Sequence, residues 1–174
     1  ITFMPASYKE GVQSQLDERP GRTLAAWQQR PESTGYVRAR SSDPFQAPEI
    51  QPNYLSSHTD QDVLLAGLRL IRQLVGTEYM RCFCELETYP GLHITSDEDL
   101  LNTARERGTT AFHMMGTCRM GPEDDALAEV DDTLRVKGLL KLRIADASIM
   151  PTMPSANTNA TCYMIGEKAA DLIQ

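Results

Sequence analysis

Residues 142–160 read LRIADASIMPTMPSANTNA: a branched apolar run, an aspartate, a turn with two prolines and a small polar segment. The apolar content of 139–144 predicts a strand, and the prolines end it. A helix is predicted from about Thr158 to Ile173, because apolar residues recur there on one stripe: Cys162, Ile165, Ala169 and Leu172. Free N–H groups and the dipole at a helix N-terminus attract anions and polar cofactor atoms. The stretch therefore predicts a strand–turn–helix unit with a polar ligand at its junction.

A second unusual stretch is FHMMGTCRMG at 112–121. Its histidine follows shortly after Gly108, where a predicted helix ends. Its glycines, Gly116 and Gly121, allow the backbone to come close to a neighbouring group. On the residues alone, structural roles stay open, since a lone histidine such as His113 is more often structural than catalytic. Asn157 and Asn159 are good helix caps, and an aspartate such as Asp146 often accepts a structural hydrogen bond. The GxGxxG, P-loop and GxSxG motifs do not occur in the sequence.

Upstream, two helices and two strands are predicted. One helix has Thr59 as its N-cap and Gly76 at its end, and a shorter one begins after Ser96 and stops at Gly108. The apolar opening at residues 1–4 and the alternation at 35–40 predict strands, and 12–19 predicts a helical turn. Three prolines in 41–54 exclude a helix or central strand there. Its apolar residues are interpreted as anchors of an ordered loop: Phe45, Ile50, Tyr54 and Leu55.

Composition excludes several classes of protein. The 174 residues are 41% hydrophobic with a net charge of −7, which argues against disorder and against nucleic acid as a partner. No apolar run approaches the roughly 18 residues of a transmembrane segment. Four cysteines, two of them in a Cys82-x-Cys84 spacing, match neither a disulfide scaffold nor a zinc site. We therefore predict reduced thiols, which favour a reducing compartment such as the cytoplasm, and no metal.

Together these stretches resemble the C-terminal part of the glucose–methanol–choline (GMC) flavoprotein oxidoreductases, in the branch similar to choline dehydrogenase. The resemblance runs from about Pro31 through almost all of the chain. One departure is Met114, which follows His113 where the family often has proline. The matching motifs are Gly35-Tyr36-Val37, Ser41-Ser42-Asp43-Pro44, Pro52-Asn53-Tyr54-Leu55, His113-x-x-Gly116-Thr117-Cys118-Arg119-Met120-Gly121, Leu134-Arg135-Val136-x-Gly138, Leu142-Arg143-x-x-Asp146-Ala147-Ser148-x-Met150-Pro151, Asn157-Thr158-Asn159-Ala160 and Gly166-Glu167-Lys168-Ala169-Ala170-Asp171.

The resemblance implies an FAD enzyme that oxidises an alcohol, with a hydride moving from carbon to flavin N5 while the hydroxyl loses its proton. His113 is then the general base, a task that suits histidine near neutral pH. Asn157 is the second catalytic residue, whose amide donates to the developing alkoxide. The resemblance also assigns five residues to cofactor binding: Phe112, Asp146, Ala147, Thr158 and Asn159.

The fold class implied by the resemblance is α+β, with an antiparallel sheet and packed helices. Residues 1–134 are expected to form the substrate-binding domain. Residues 135–174 are expected to supply a closing strand and helix that complete the Rossmann-like FAD-binding domain. The family's N-terminal Rossmann unit is not in this sequence, which starts on apolar residues without an initiator methionine. We therefore expect activity only with an N-terminal FAD-binding part, as another chain or segment, which covers apolar surface on the last helix and 142–149.

The expected further partners are a small-molecule alcohol and an electron acceptor, either dioxygen or a quinone-type compound. Phe112, Met114 and Met115 indicate an apolar wall beside the base, which favours an aliphatic or aryl primary alcohol over a sugar. Two alternatives stay open. The first is a redox-neutral enzyme of this fold, such as a hydroxynitrile lyase or a photodecarboxylase, although the His113 and Asn157 pair argues against it. The second is a non-catalytic interaction module without flavin.

Overall fold

Short antiparallel strands and α-helices make up the fold, as the predicted α+β class requires. A computed structural model describes residues 1–9 and 15–173. The chain divides into two units, one built from Ile1–Gln28 with Leu55–Thr109 and the other from Gln29–Tyr54 with Thr110–Gln174. Its elements, in chain order, are β1 (Thr2–Met4), β2 (Thr23–Ala25), β3 (Tyr36–Arg38), β4 (Glu49–Gln51), α1 (His58–Val75), α2 (Glu78–Arg81), α3 (Asp97–Arg107), a 3₁₀ turn (Ala147–Ile149) and α4 (Asn159–Ile173).

The first unit pairs β1 with β2 and packs α1 against α3. Thr2 lies opposite Ala25 in the two-stranded sheet, which confirms the strand predicted at the start of the chain. Leu65 of α1 and Leu100 of α3 are its buried apolar residues. The helical turn predicted over 12–19 lies partly outside the described residues, and within its described part Leu16 forms a β-bridge with Tyr8.

Helix ends in this unit follow local capping chemistry. α3 begins after Ser96, whose side chain accepts a hydrogen bond from the Asp99 N–H, and it ends at Gly108, as predicted. α1 ends at Gly76, also as predicted, but its N-cap is Ser57 and not Thr59. The Ser57 hydroxyl oxygen accepts from the Thr59 N–H at 3.2 Å, so the helix begins two residues earlier than predicted.

The second unit holds the sheet of β3 and β4, in which Tyr36 lies opposite Gln51. The strand predicted around 36–38 is therefore confirmed, and β4 occupies the three residues between Pro48 and Pro52, where an edge strand tolerates flanking prolines. The interpretation of this loop's apolar residues as anchors is wrong within this unit. Phe45 is 95% exposed and Tyr54 62% exposed, so neither is buried by the residues described here.

The core of the second unit contains Ile149 and Met150 of the 142–160 stretch, and Met115 and Met120 of the histidine stretch pack against it. Buried apolar residues come from both sides of residue 135: Val130, Leu134, Ile149, Met150, Ile165 and Ala169. α4 therefore lies as predicted, with its apolar stripe inward. The domain boundary placed at 134/135 concerns the complete protein and stays a prediction.

The strand predicted over 139–144 is not among the strands of the described residues. Instead, the Val136 N–H donates to the Leu142 carbonyl at 3.1 Å, so the segment between them folds back as a turn. Gly138 and Lys141 take left-handed φ angles of 76° and 63° in that turn. Within this segment, Arg143 forms a single β-bridge with Arg135. A strand needs a longer run of backbone pairing with a neighbour, and the described residues offer none here.

Asp131 organises the turn that leads into buried Leu134. Its Oδ1 accepts hydrogen bonds from the Thr133 N–H and hydroxyl, both at 2.8 Å, and from the Arg135 N–H at 2.9 Å. The bond from the Arg135 N–H, helped by those from Thr133, lowers the pKa of the Asp131 carboxyl below its ordinary value. The turn is therefore stabilised above the ordinary carboxyl pKa, and that stabilisation is lost as the pH falls through the lowered folded-state pKa.

We expect hydrogen-exchange protection of the Thr133 and Arg135 amides, corrected for intrinsic exchange, to fall on acidification below about pH 4. Asp131→Asn keeps an acceptor oxygen but has no charge to lose, so its protection should be lower and should not vary with pH in this range. Protection that stays constant in the unmodified protein between about pH 6 and pH 2 would contradict the assignment.

Candidate functional site

A backbone ladder joins the histidine stretch to the stretch that starts at Asp146. Alternate N–H groups of 116–120 donate to successive carbonyl oxygens of 147–149. The three bonds are Gly116 to Ala147 at 3.3 Å, Cys118 to Ser148 at 2.9 Å and Met120 to Ile149 at 2.8 Å. The two segments that the sequence marked separately are thus neighbours.

Gly116 explains why the ladder can form so close to the turn at Met150. Its φ is 81°, and a side-chain Cβ built there would lie 3.2 Å from the Met150 carbonyl oxygen. Both the left-handed backbone and the close approach favour glycine. The close backbone approach predicted at this glycine is confirmed.

His113 follows a residue with unusual backbone geometry. Phe112 has a φ of 58°, which is uncommon for a bulky residue and marks a position that its surroundings hold in place. The Phe112 N–H donates to the Thr110 hydroxyl at 3.1 Å, which supports this bend. The Phe112 side chain is 67% exposed, and His113 itself is half-buried.

The imidazole of His113 reaches the start of α4. Its Nδ1 lies 3.3 Å from the hydroxyl oxygen of Thr158, a residue 45 positions later in the chain. Thr158 is only 7% exposed, whereas Asn157 and Asn159 on either side of it are exposed. The structure therefore brings the His113 imidazole into contact with Thr158, the residue that follows Asn157 in the chain.

The N-terminus of α4 offers hydrogen-bond donors at this place. The first helical bond runs from the Cys162 N–H to the Thr158 carbonyl at 2.9 Å, so the N–H groups before it lack partners within the helix. The first turn carries no acidic residue that would neutralise the positive end of the helix dipole. Two shallow grooves flank the helix, of about 260 and 200 Å³, and the first is lined by Asn159, Cys162, Tyr163, Gly166 and Glu167.

Asp146 and Ala147 have identifiable structural roles. The Asp146 Oδ1 caps the 3₁₀ turn by accepting from the Ser148 N–H at 2.8 Å, and the side chain is exposed. The carbonyl of half-buried Ala147 accepts the ladder bond from Gly116. Their assignment to the cofactor, like that of Phe112 and Asn159, stays a prediction.

The residues present suit a flavin. A flavin has polar edges and an anionic diphosphate, which need N–H donors, and a flat ring, which packs against apolar groups. The exposed asparagine amides and the N–H groups before the first α4 bond are donors of the first kind, and the exposed Phe112 ring is an apolar group of the second kind. Within the described residues, no group of three or more His, Cys, Asp or Glu side chains is arranged to hold a metal ion, and all four cysteines are free.

Sequence reasoning missed the contact between Thr158 and His113. It assigned Thr158 to the flavin by resemblance, and nothing local signals that a hydroxyl and an imidazole 45 residues apart will meet. It also missed the support that Thr110 gives to Phe112. A serine or threonine two residues before a bulky residue is too common to mark such a bend.

Comparison with known proteins points to one family. Residues 31–166 match the family model described as GMC oxidoreductase. Human mitochondrial choline dehydrogenase is 43% identical over 142 residues, which are 82% of this chain and 24% of that protein. An alcohol dehydrogenase [acceptor] of Pseudomonas putida is 39% identical over 153 residues, 88% of this chain and 27% of that protein. The chain spans about a quarter of the length of the curated relatives it matches.

Solved structures that resemble this chain include oxidases that act on alcohols. A fungal aryl-alcohol oxidase matches with a TM-score of 0.70 and 39% identity, over 80% of this chain and 23% of that one. Pyridoxine 4-oxidase from Mesorbium loti matches with a TM-score of 0.73 and 30% identity, over 82% of this chain and 28% of that one. Helices that are long and apolar enough to cross a bilayer are absent from the described residues.

Proposed function

Because this chain belongs to the GMC oxidoreductase family, we propose that it is part of an FAD-dependent oxidoreductase that acts on alcohols. The observation that carries the proposal is the contact of His113 with Thr158, which brings a potential base to the asparagine-flanked start of α4. Relatives named for the oxidation of choline, alcohols, aryl alcohols and pyridoxine support alcohols as the substrate class.

His113 is proposed to remove the hydroxyl proton. An alcohol gives up a hydride from its carbon far more readily once its oxygen carries negative charge, and a free alkoxide does not persist at neutral pH. A base positioned beside the hydroxyl meets this need. With Nδ1 in contact with Thr158, Nε2 is the nitrogen left to accept the proton.

Asn157 is proposed to stabilise the developing alkoxide. Its amide has two N–H donors and cannot take up the proton itself, so it complements a base without competing with it. The exposed side chain lies next to Thr158 in the chain, at the positive end of α4. Both the amide and the helix dipole favour negative charge on the substrate oxygen.

FAD is the proposed cofactor, held on this chain by Phe112, Asp146, Ala147, Asn159 and the backbone at Thr158. When bound, FAD supplies the acceptor for the hydride. The chain's own part is to place donors at the start of α4 and an apolar ring at Phe112. Beside the base, the Phe112 and Met114 side chains are 67% and 66% exposed, which supports an aliphatic or aryl primary alcohol over a sugar. Met115 packs against the core and adds nothing to this wall.

The remaining FAD contacts are proposed to come from an N-terminal Rossmann part, in the same polypeptide or another chain. Residues 1–134 would then form the substrate side, and 135–174 would complete the flavin domain. Large apolar side chains exposed on the turn near 140 and on α4 support a covering partner: Leu139, Leu140, Leu142, Tyr163, Met164 and Ile173 are between 47% and 92% exposed. Exposed apolar patches of this kind mark interaction sites.

The test is to purify the complete protein that contains this chain and to add primary alcohols without oxygen. We expect a flavin spectrum that bleaches on addition of substrate and returns with dioxygen or a quinone, which also identifies the acceptor. Bound flavin with turnover but without bleaching would favour a redox-neutral reaction. A purified protein without flavin would favour the interaction module and overturn the proposal.

A further inference from the structure

We propose that Thr158 is a positioning residue whose hydroxyl oxygen accepts a hydrogen bond from Nδ1–H of His113. This bond keeps Nε2 unprotonated and directed at the alcohol. The inference rests on the proposed function and deepens it, since it assigns the Thr158 side chain to the base and not to the cofactor. It follows from the burial of Thr158, the 3.3 Å contact and the chemistry of imidazole.

The first argument is burial. Of the three residues 157–159 at the start of α4, Asn157 and Asn159 are exposed, whereas Thr158 is buried, at 7% exposure. A buried hydroxyl is nearly always hydrogen-bonded, because leaving it without a partner costs free energy. Among the described residues, its side-chain hydrogen-bond partner is Nδ1 of His113.

The second argument concerns the position of the proton. Neutral imidazole has one N–H and one acceptor nitrogen, and the hydrogen bond at one nitrogen decides which of the two carries the proton. If the Thr158 hydroxyl donated to Nδ1, the proton would sit on Nε2, which then could not act as a base. If the hydroxyl oxygen accepts from Nδ1–H, Nε2 has a free lone pair. Only the second arrangement serves proton abstraction by His113.

The third argument is that both partners are held by the backbone. Thr158 has a β-branched side chain with few rotamers, and its carbonyl accepts the first hydrogen bond of α4, from the Cys162 N–H at 2.9 Å. His113 follows the left-handed Phe112 and precedes the ladder that begins at Gly116. A hydroxyl on this framework limits rotation of the imidazole before substrate arrives.

During turnover the alcohol O–H bond breaks and its proton forms a bond to Nε2. The imidazole becomes an imidazolium, and the Nδ1–H···O bond to Thr158 is kept throughout. The hydroxyl of Thr158 therefore exchanges no proton with the substrate, and its role is limited to orientation and to the choice of tautomer.

The test uses Thr158→Val and Thr158→Ser in the complete flavoenzyme. Valine has the shape of threonine without the oxygen, so kcat should fall about threefold to tenfold, as for one lost hydrogen bond, while KM stays nearly unchanged. Serine restores the oxygen and should restore kcat. Thr59→Val, at the exposed start of α1, is the matched control and should leave kcat and flavin content unchanged.

Normal kcat in Thr158→Val would overturn the proposal, and so would equal losses in the valine and serine variants, which indicate packing. A neutron structure of the unmodified enzyme gives an independent answer: deuterium on Nδ1 of His113 supports the proposal, and deuterium on Nε2 alone overturns it. Failure here is distinct from failure of the proposed function. If His113→Ala is inactive but Thr158→Val is normal, only the positioning role is lost.

Discussion

Replacing His113 with alanine in the complete flavoenzyme is expected to lower kcat for alcohol oxidation by about 10²- to 10⁴-fold, the usual contribution of a general base. The side chain is half-buried and is hydrogen-bonded through Nδ1 to Thr158 at the start of α4. The loss should therefore arise in the chemical step. We expect the rate of flavin reduction in single-turnover experiments to fall with kcat, while flavin content changes little.

The matched control is His58→Ala. His58 is the exposed first residue of α1, so its removal deletes the same side chain from a different surface. Its kcat and KM should stay within about twofold of the unmodified enzyme, as is usual for exposed sites away from special features. An His113→Ala enzyme with near-normal flavin reduction would remove His113 from its proposed role and leave family membership untouched.

Asn157→Asp is expected to lower kcat by about 10²- to 10³-fold, the range for losing a donor that stabilises an oxyanion. The change replaces two N–H donors by a carboxylate, which accepts hydrogen bonds only and repels the developing alkoxide. Asn157→Ala should lose less, because it removes the donor without adding charge. Since the side chain is exposed on this chain, neither change should disturb its packing.

Asn102→Asp is the matched control for this change. Asn102 is an exposed residue of α3, and the same substitution adds the same charge to the protein without touching the proposed site. Equal effects on kcat at positions 102 and 157 would assign the loss to net charge. An Asn157→Asp enzyme that reduces flavin normally would show that the amide makes no contact with the reacting oxygen.

Local chemistry explains which fold predictions succeeded. Ser96 and Gly108 were placed correctly at the ends of α3, because a hydroxyl cap and a terminal glycine act within one turn of the chain. The acidic residues that follow Thr59 predict it as the α1 cap, yet Ser57 is equally able to cap and lies where the backbone is extended. Serine and threonine are both good N-caps, so the sequence alone does not show which of two hydroxyl residues this close together begins the helix.

Predictions that depend on contacts between segments far apart in the sequence were less accurate. The run at 139–144 has strand composition but folds back as a turn, because strand formation depends on an edge to pair with. Phe45 and Tyr54 have the composition of anchors, yet they are exposed in this chain. Whether an apolar residue is buried depends on what packs against it, which its own neighbours in sequence do not encode.

By itself the sequence determined both ends of α3, the C-terminal end of α1 and the extent of α4, because capping, glycine and periodicity act at short spacings. Its motifs carried the resemblance to the family, and that resemblance predicted the α+β class, the candidate base and the candidate asparagine. Only the tertiary structure decided that the Thr158 hydroxyl meets the His113 imidazole and that 116–120 pairs with 147–149. The reason is that these contacts join segments tens of residues apart, and such hydrogen bonds form only once the core between them has packed.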